Sequence, residues 1–440
     1  MIPQRGRAEP THGDVNAFKR ELMMRPGDPT AGSRLTVNSH VHVPPNFSAF
    51  STVDEMVDLA VAQGVEVVGA SNYYDFEVYR RFGELAAGAG IFPLYGLEVV
   101  CLVDELAGSG IKINDPGNPG KMYLCGKGIS QFAPMAPEAE ALMSTIRDID
   151  SARIVEMIDK LAGLFASAGV AVEVSEESVK SAVVRRHSLA SGPVYLQERH
   201  VAQAFQEALF AAVPGPARAG VVPGPAWAEA LATICHAEPG PALDVVSVQN
   251  ALRTHLMKAG KPGYVPERFV DFDHAYRLIL ALGGMPCYPV LADGATPMCP
   301  FEESAGRLVS SLRERRIPCA ELIPNRNAPE VLVEYASTLH EAGLVVLAGT
   351  EHNTLDVVAM EPHCVGGVPI PDPVKDIFWQ GACVVAAHQD LTARGETGYV
   401  DGSGVPNPAY AGPGGREAFA ALGAAVIEEY RRVTPARTRA

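Results

Sequence analysis

The sequence predicts an α/β fold: a parallel sheet, closed or open, interrupted by a mainly helical insertion. Three observations predict it. Short β-branched runs alternate with amphipathic stretches of helical length over residues 34–135. The same alternation resumes over residues 269–390. Between them, over residues 136–268, strand signal fades and helical spacing with Pro/Gly-rich joints takes over. Residues 1–33 form an N-terminal tail and residues 391–440 a C-terminal extension.

The tail is polar, rich in Gly and Pro, and lacks a sustained period, apart from one short helix expected over residues 14–24. "RLTVNSHVH" (34–42) reads as a strand that Pro44 and Pro45 stop. "STVDEMVDLAVAQG" reads as a helix: Ser51 or Thr52 caps it, Met56, Leu59 and Ala60 share a face, and Gly64 ends it. "VEVVGASN" is a buried strand, "VYRRFGELAAGAG" a helix and "IFPLYGLEVV" a strand. In the middle, "SARIVEMIDKLAGLFASAG" puts Ile154, Ile158, Leu161 and Phe165 on one face of a helix. "VPGPARAGVVPGPAW" is a joint between helices, and the role of this region is left open, a lid over the sheet's functional end being one reading. The alternation then returns as helix "FDHAYRLILALGG", strand "MPCYPVLAD", helix "EESAGRLVSSLRERR", strand "IPCAELIP", helix "PEVLVEYASTLHEAG" and strand "LVVLAGTE". A last helix follows over about residues 416–432.

Composition bounds the function. With 440 residues, 47% of them hydrophobic and 20% charged, the chain can bury a sizeable core. A formal charge of −15 argues against a nucleic-acid surface, which needs a basic stripe. No run approaches the ~20 apolar residues of a membrane span and no leader-like segment opens the chain, so a cytoplasmic protein is expected. The eight cysteines contain no C-x-x-C and are expected as reduced, mostly buried thiols.

In α/β sheets the functional groups gather at the carboxyl ends of the strands. The polar residues at these ends are His40 and His42; Asn72 to Asp75; Glu98; Tyr123 and Cys125; Asp293; Glu321, Asn325 and Arg326; and Glu351, His352 and Asn353. Residues i and i+2 of a strand face the same side, so H-x-H can offer two imidazoles to one ion. Imidazoles with carboxylates suit Zn, Mn or Fe. Arg326 could clamp a carboxylate or phosphate, and Arg199 with His200, at a helix start, could meet an anion. His352 reaches the same mouth only if the backbone turns there.

These residues, in this order, resemble the PHP (polymerase and histidinol phosphatase) family over about residues 35–355. "TVNSHVH" is similar to its H-x-H strand, "STVDEMVDLAVAQGVEVVGASNYYD" to the segment ending in T-D-H, and "IFPLYGLEV" to its G-x-E strand. "KMYLCGKGI" resembles its next strand, "YLQERHVAQAF" its R-P-H helix, and "GLVVLAGTEHN" its closing S-D-x-H strand. The resemblance implies a distorted (β/α)7-type PHP barrel. It implies a metal site at His40, His42, Glu98 and Glu351, the last a Glu where the family has Asp. Other ligand positions depart: Tyr73 and Tyr123 stand for histidines, the A-H-P strand offers Asp293 or Tyr288, and Asn353 ends S-D-x-H with His352 one residue early. A phenol ligates poorly unless ionised, and its reference pKa is about 10. One divalent ion (Zn, Mn or Fe) is therefore expected where the family holds up to three.

The resulting expectation is a single-metal hydrolase of a small anionic metabolite, a phosphoester by resemblance. Tyr73, Asp293 and His352 are candidates for proton transfer and Arg326, Arg199 and His200 for substrate contact. A metal-dependent isomerase or lyase acting on a sugar acid is the rival enzyme. An inactive PHP-like binding or assembly module is the third reading. No nucleic-acid or membrane partner is expected, and a homo-oligomer is left open.

Overall fold

Seven of the eight strands of one mixed sheet occur where the sequence reading has strands. The computed structural model describes residues 34–189, 194–213, 225–237, 244–412 and 414–434; the expected N-terminal tail and its helix lie outside these. The strands are β1 (Val37–Val41), β2 (Val67–Tyr73), β3 (Phe92–Leu102), β4 (Lys121–Lys127), β5 (Val270–Asp271), β6 (Met285–Val290), β7 (Cys319–Leu322) and β8 (Val345–Ala348). They pair in the order β1-β2-β3-β4-β6-β7-β8, with the two-residue β5 added to β3. Beyond β8 the chain returns to β1: a parallel bridge joins Val41 to Glu351, and Glu351 N donates to His40 O at 2.9 Å. That contact nearly closes the sheet into a distorted barrel.

One strand departs from the all-parallel expectation. β4 runs antiparallel to both β3 and β6. A parallel return needs a crossover, usually a helix packed along the sheet. Here β3 and β4 are joined by a single short helix, Asp104–Gly108, and loop, so the chain comes back the other way. Reversal has a consequence for the interior: Tyr123, Cys125 and Lys127 alternate inward from the mouth of the barrel downwards.

The helices are α1 (Val53–Ala62), α2 (Tyr79–Ala89), α3 (Asp104–Gly108), α4 (Pro137–Ser167), α5 (Glu176–Arg186), α6 (Glu198–Ala212), α7 (Pro225–Cys235), α8 (Val245–Leu252), α9 (Phe272–Ala281), α10 (Ala305–Glu314), α11 (Pro329–Glu341), α12 (Asp372–Ala393) and α13 (Gly415–Val433). α1 starts where Thr52 Oγ1 accepts from Glu55 N at 3.1 Å, a cap of about 1 kcal/mol, and buries Val53, Met56, Val57 and Ala60. α1, α2, α9, α10 and α11 bury apolar faces in the barrel's main core. α4, at 31 residues, belongs to two cores: Ala139, Leu142, Met143 and Ile146 join the barrel, while Ile154, Met157, Ile158, Leu161 and Phe165 build a helical core with α5, α6, α7 and α8. α12 crosses the end of the barrel opposite the histidines, where Gln389 bonds Tyr95 N and Pro93 O and His388 bonds Gly283 O. All eight cysteines are free and buried. No helix among the described residues is long and apolar enough to cross a membrane.

Candidate metal centre

β1 ends with its alternate side chains, His40 and His42, inside the mouth of the barrel, 2% and 0% exposed. Their Nε2 atoms are 3.3 Å apart. Glu98, two strands away on β3, brings Oε2 to 3.0 Å from His42 Nε2 and 3.6 Å from His40 Nε2. The three atoms form a triangle with edges of 3.0, 3.3 and 3.6 Å.

The second nitrogen of His40 is fixed from below. Its Nδ1 lies 2.6 Å from Glu321 Oε2 and donates its proton to that carboxylate, which turns Nε2 towards the triangle. Glu321 is itself held by Ser39 Oγ, which donates to Oε1 at 2.6 Å, and by Lys127 Nζ at 2.7 Å. Lys127 Nζ also donates to Ser39 O at 3.1 Å. A buried ammonium, a carboxylate and an imidazole thus stand in line under the triangle.

Charges follow from these contacts. Burial works against ionised Glu321, but Lys127 and His40 outweigh it and hold the carboxyl at about 2. Burial likewise opposes a charged Lys127, and Glu321 overrides it, raising the ammonium pKa. For Glu98, burial is overcome by the adjacent imidazoles of His40 and His42, which keep its carboxyl well below the ordinary range. Burial first, then Lys127, press His40 towards neutrality; Glu321 and Cys125 prevail and raise it.

The triangle suits a divalent cation. Ligands about 2.0–2.2 Å from a tetrahedral centre are separated by roughly 3.3–3.6 Å, and a right-angled octahedral pair by about 3.0 Å. The observed edges span both, so the geometry admits Zn, Mn or Fe without choosing among them. Glu98 Oε2 is buried and has no satisfactory hydrogen bond, as expected of an atom reserved for an ion. Three protein ligands leave a position open, the pattern of catalytic rather than structural sites.

Glu351, the fourth ligand that the resemblance implies, has other partners in this structure. The chemically compatible groups among the described residues are His40–His42–Glu98 and His40–Cys125–Glu321, and Glu351 is in neither. Its Oε2 is taken by Arg326 Nη2 and by Asn353 Nδ2, the latter at 2.7 Å. The cause is local: closure onto β1 puts Glu351 and His352 at φ +64° and +52°, and the left-handed turn swings the carboxylate to the arginine.

His352 turns as well, but not into the triangle. Its Nδ1 bonds Thr350 Oγ1 at 2.8 Å and its Nε2 bonds Val358 O at 3.0 Å, so neither nitrogen is left for an ion or a proton relay. The ring stacks on Phe50 with centroids 4.9 Å apart. Asp293 is a loop anchor: Asn327 Nδ2 and Ala328 N donate to its two oxygens at 2.9 and 3.0 Å, fixing the approach to α11. His200 Nδ1 accepts from Gln197 N at 3.0 Å and closes the start of α6; burial lowers its pKa to about 3, so it stays neutral. Tyr288 donates to Glu302 Oε1 at 2.8 Å, away from the triangle.

Tyr73 lies at the site. Its ring stacks on His42, centroids 5.1 Å apart at 16°, and burial, then Glu98, push its phenol well above the usual value, so it keeps its proton. Tyr73, Glu98, Tyr123, Arg326, Glu351 and Asn353 line a cavity of about 350 Å³. Arg199 is not in this cavity and lines a larger one beside it. Sequence reasoning missed Lys127. The available signal was a charged residue two and four positions after Cys125 and Tyr123, on their face of the strand.

No family model matches the chain, and no curated protein matches its sequence. Two solved structures are similar in fold. One is a protein from Bifidobacterium adolescentis assigned as a metal-dependent phosphoesterase: 13% identity, 78% of this chain and 95% of that chain covered, TM-score 0.48. The other is an amidohydrolase from Chromobacterium violaceum with sulfate and no metal bound: 15% identity, 78% and 96% covered, TM-score 0.48. At these identities and scores neither says anything of this chain's reaction.

Proposed function

We propose that the chain is a hydrolase using a single divalent ion held by His40, His42 and Glu98, acting on a small anionic metabolite, with a phosphoester as the substrate class. The observation that carries this reading is the triangle of two imidazole nitrogens and one carboxylate oxygen in a buried, open-sided setting. A divalent ion bound there supplies Lewis acidity towards a substrate oxygen and makes a nearby water a better nucleophile.

The chain's own groups do the rest. Glu321 and Lys127 orient His40. The neutral Tyr73 phenol, beside Glu98, is the proton donor to a leaving oxygen. Glu351 is the proton acceptor for the attacking water, held at the cavity wall by Arg326 and Asn353. Arg326 is only 36% exposed and retains donors for a substrate anion. Asp293, His352 and His200 serve as structural anchors in this scheme.

The test is phosphate release from a panel of phosphoesters by protein stripped with chelator and then reloaded with Zn, Mn or Fe. Release is expected only after reloading, and Tyr73→Phe should lower kcat by about 10²-fold. The neutral phenol beside a Lewis-acid site also suits carbonyl isomerisation. A carbonyl shift in sugar acids, with no phosphate released from any ester, would replace the hydrolytic reading with that one.

A further inference from the structure

A second cavity, of about 610 Å³, adjoins the ion chamber. The two share Tyr73, Asp115, Tyr123 and Asn353 as walls. Its far side comes from the helical insertion: Arg153 on α4, Arg199 on α6 and Arg253 just beyond α8. The insertion is fastened to the loop after β1, where Phe47 N donates to Gln197 Oε1 at 2.6 Å and the Arg199 guanidinium lies 5.2 Å from the Phe47 ring centroid. A volume of this size accommodates a ligand portion much larger than one phosphate.

Its charge is inverted relative to the molecule. The chain as a whole carries −15, yet Lys121, Arg153, Arg199, Arg253, Lys258 and Arg268 line this cavity. The carboxylates there are outnumbered and shared. Glu198 serves Arg253 Nε at 3.1 Å, Lys258 Nζ at 3.0 Å and Arg153 Nη2 at 3.7 Å. Glu267 serves Lys121 Nζ at 2.8 Å and Arg153 Nη2 at 3.9 Å. Asp115 lies 3.2 Å from Lys121 Nζ, and burial pushes Asp150 up to about 6. Among the described residues Arg199 has no carboxylate within ion-pair distance. Burial and the neighbouring charge of Arg253 both lower its pKa. A half-buried guanidinium, next to a second one and short of carboxylates, binds an anion more strongly than it would in open water.

The geometry points to a second anion subsite in this cavity, centred on Arg199 with Arg253 and Lys258, that takes a carboxylate or phosphate on the part of the substrate remote from the ion. The substrate class is then a metabolite with an anionic group at each end, spanning both chambers. This rests on the ion-site reading above for the position of the near end.

The test uses non-hydrolysable probes and calorimetry on the zinc-loaded full chain. Phenylphosphonate carries one anionic group, 4-phosphonobenzoate adds a remote carboxylate, and 1,4-phenylenediphosphonate adds a remote phosphonate. The doubly anionic probes should bind at least about tenfold more tightly than phenylphosphonate. Their relative strength tells carboxylate from phosphate. The affinity ratio should fall towards one in Arg199→Gln and recover in part in Arg199→Lys, a recovery that a packing role would not give. Arg253→Gln, measured in parallel, should lower the ratio too and keeps the test decisive if the first variant folds poorly. A ratio near one in the native chain, or one unchanged by both glutamine substitutions, overturns the subsite. Turnover is not needed, so failure of the phosphoester reading appears separately, as an absence of phosphate release with the affinity ratio intact.

Discussion

Lys127 and Glu321 show how one buried pair serves both stability and the site. Each is almost fully shielded, at 3% and 1% side-chain exposure, so neither charge can be left alone cheaply. Removing one partner of a buried pair typically costs about 3–5 kcal/mol. Lys127→Met should therefore destabilise the chain by that order in denaturant melts. It should also weaken metal binding by about 10–100-fold, because the carboxylate that orients His40 is no longer held. The milder Glu321→Gln should keep much of the shape and still lower metal affinity. Asp75 makes a different residue-scale case. Its Oδ2 is buried without a partner, and burial, the main cause, pushes its pKa from 3.8 up to about 6. Between those values the folded chain holds a proton that the unfolded chain has released. Asp75 thus contributes stability that is complete below about pH 4 and is lost as pH rises through about 6. The loss should amount to at most about 3 kcal/mol by pH 8. Asp75→Asn should flatten that part of the pH–stability curve and stabilise the protein at pH 8.

At the scale of elements, strand ends create the centre and close packing keeps it in register. Gly349, just after β8, is a contact point: a Cβ there would lie 2.3 Å from the Cβ of His40. Gly349→Ala should push the β1 end outwards, cost about 1–3 kcal/mol, and lower metal affinity at least about tenfold. Metal titration followed by a melt with and without metal would separate the two effects. These elements were largely legible in the sequence, because alternating hydrophobic runs and capped amphipathic stretches have periods that residues impose locally. β1, β2, β3 and β6 to β8 appear where the runs of Val, Ile and Leu put them. That His40 and His42 share a side could be read because strand alternation fixes it, whereas Glu98 was marked only as a strand-end carboxylate and by the resemblance to G-x-E. The direction of β4 could not be read, since it depends on what the joining segment packs against. That hid Lys127, whose role exists only because β4 runs downwards. The directions of the Glu351 and His352 side chains could not be read for a related reason: two consecutive left-handed residues set them, and neither is a glycine that would announce the turn.

At the scale of the whole molecule, α4 joins the barrel core to the helical core and so fixes the insertion over the mouth. The ion chamber lies in the barrel and the larger cavity lies between barrel and insertion. The chemistry would then be supplied by one part and selection of the substrate by the other. Metal should also stabilise the molecule as any ligand of the folded state does, raising Tm as free metal exceeds its Kd. The most direct measurement is elemental analysis of the purified chain after chelation and reloading, on the native protein and on His42→Ala and Glu98→Gln. Close to one equivalent of a transition metal should be found in the native chain and well below that in both variants. No metal in the native chain, or an undiminished equivalent in both variants, would contradict the account.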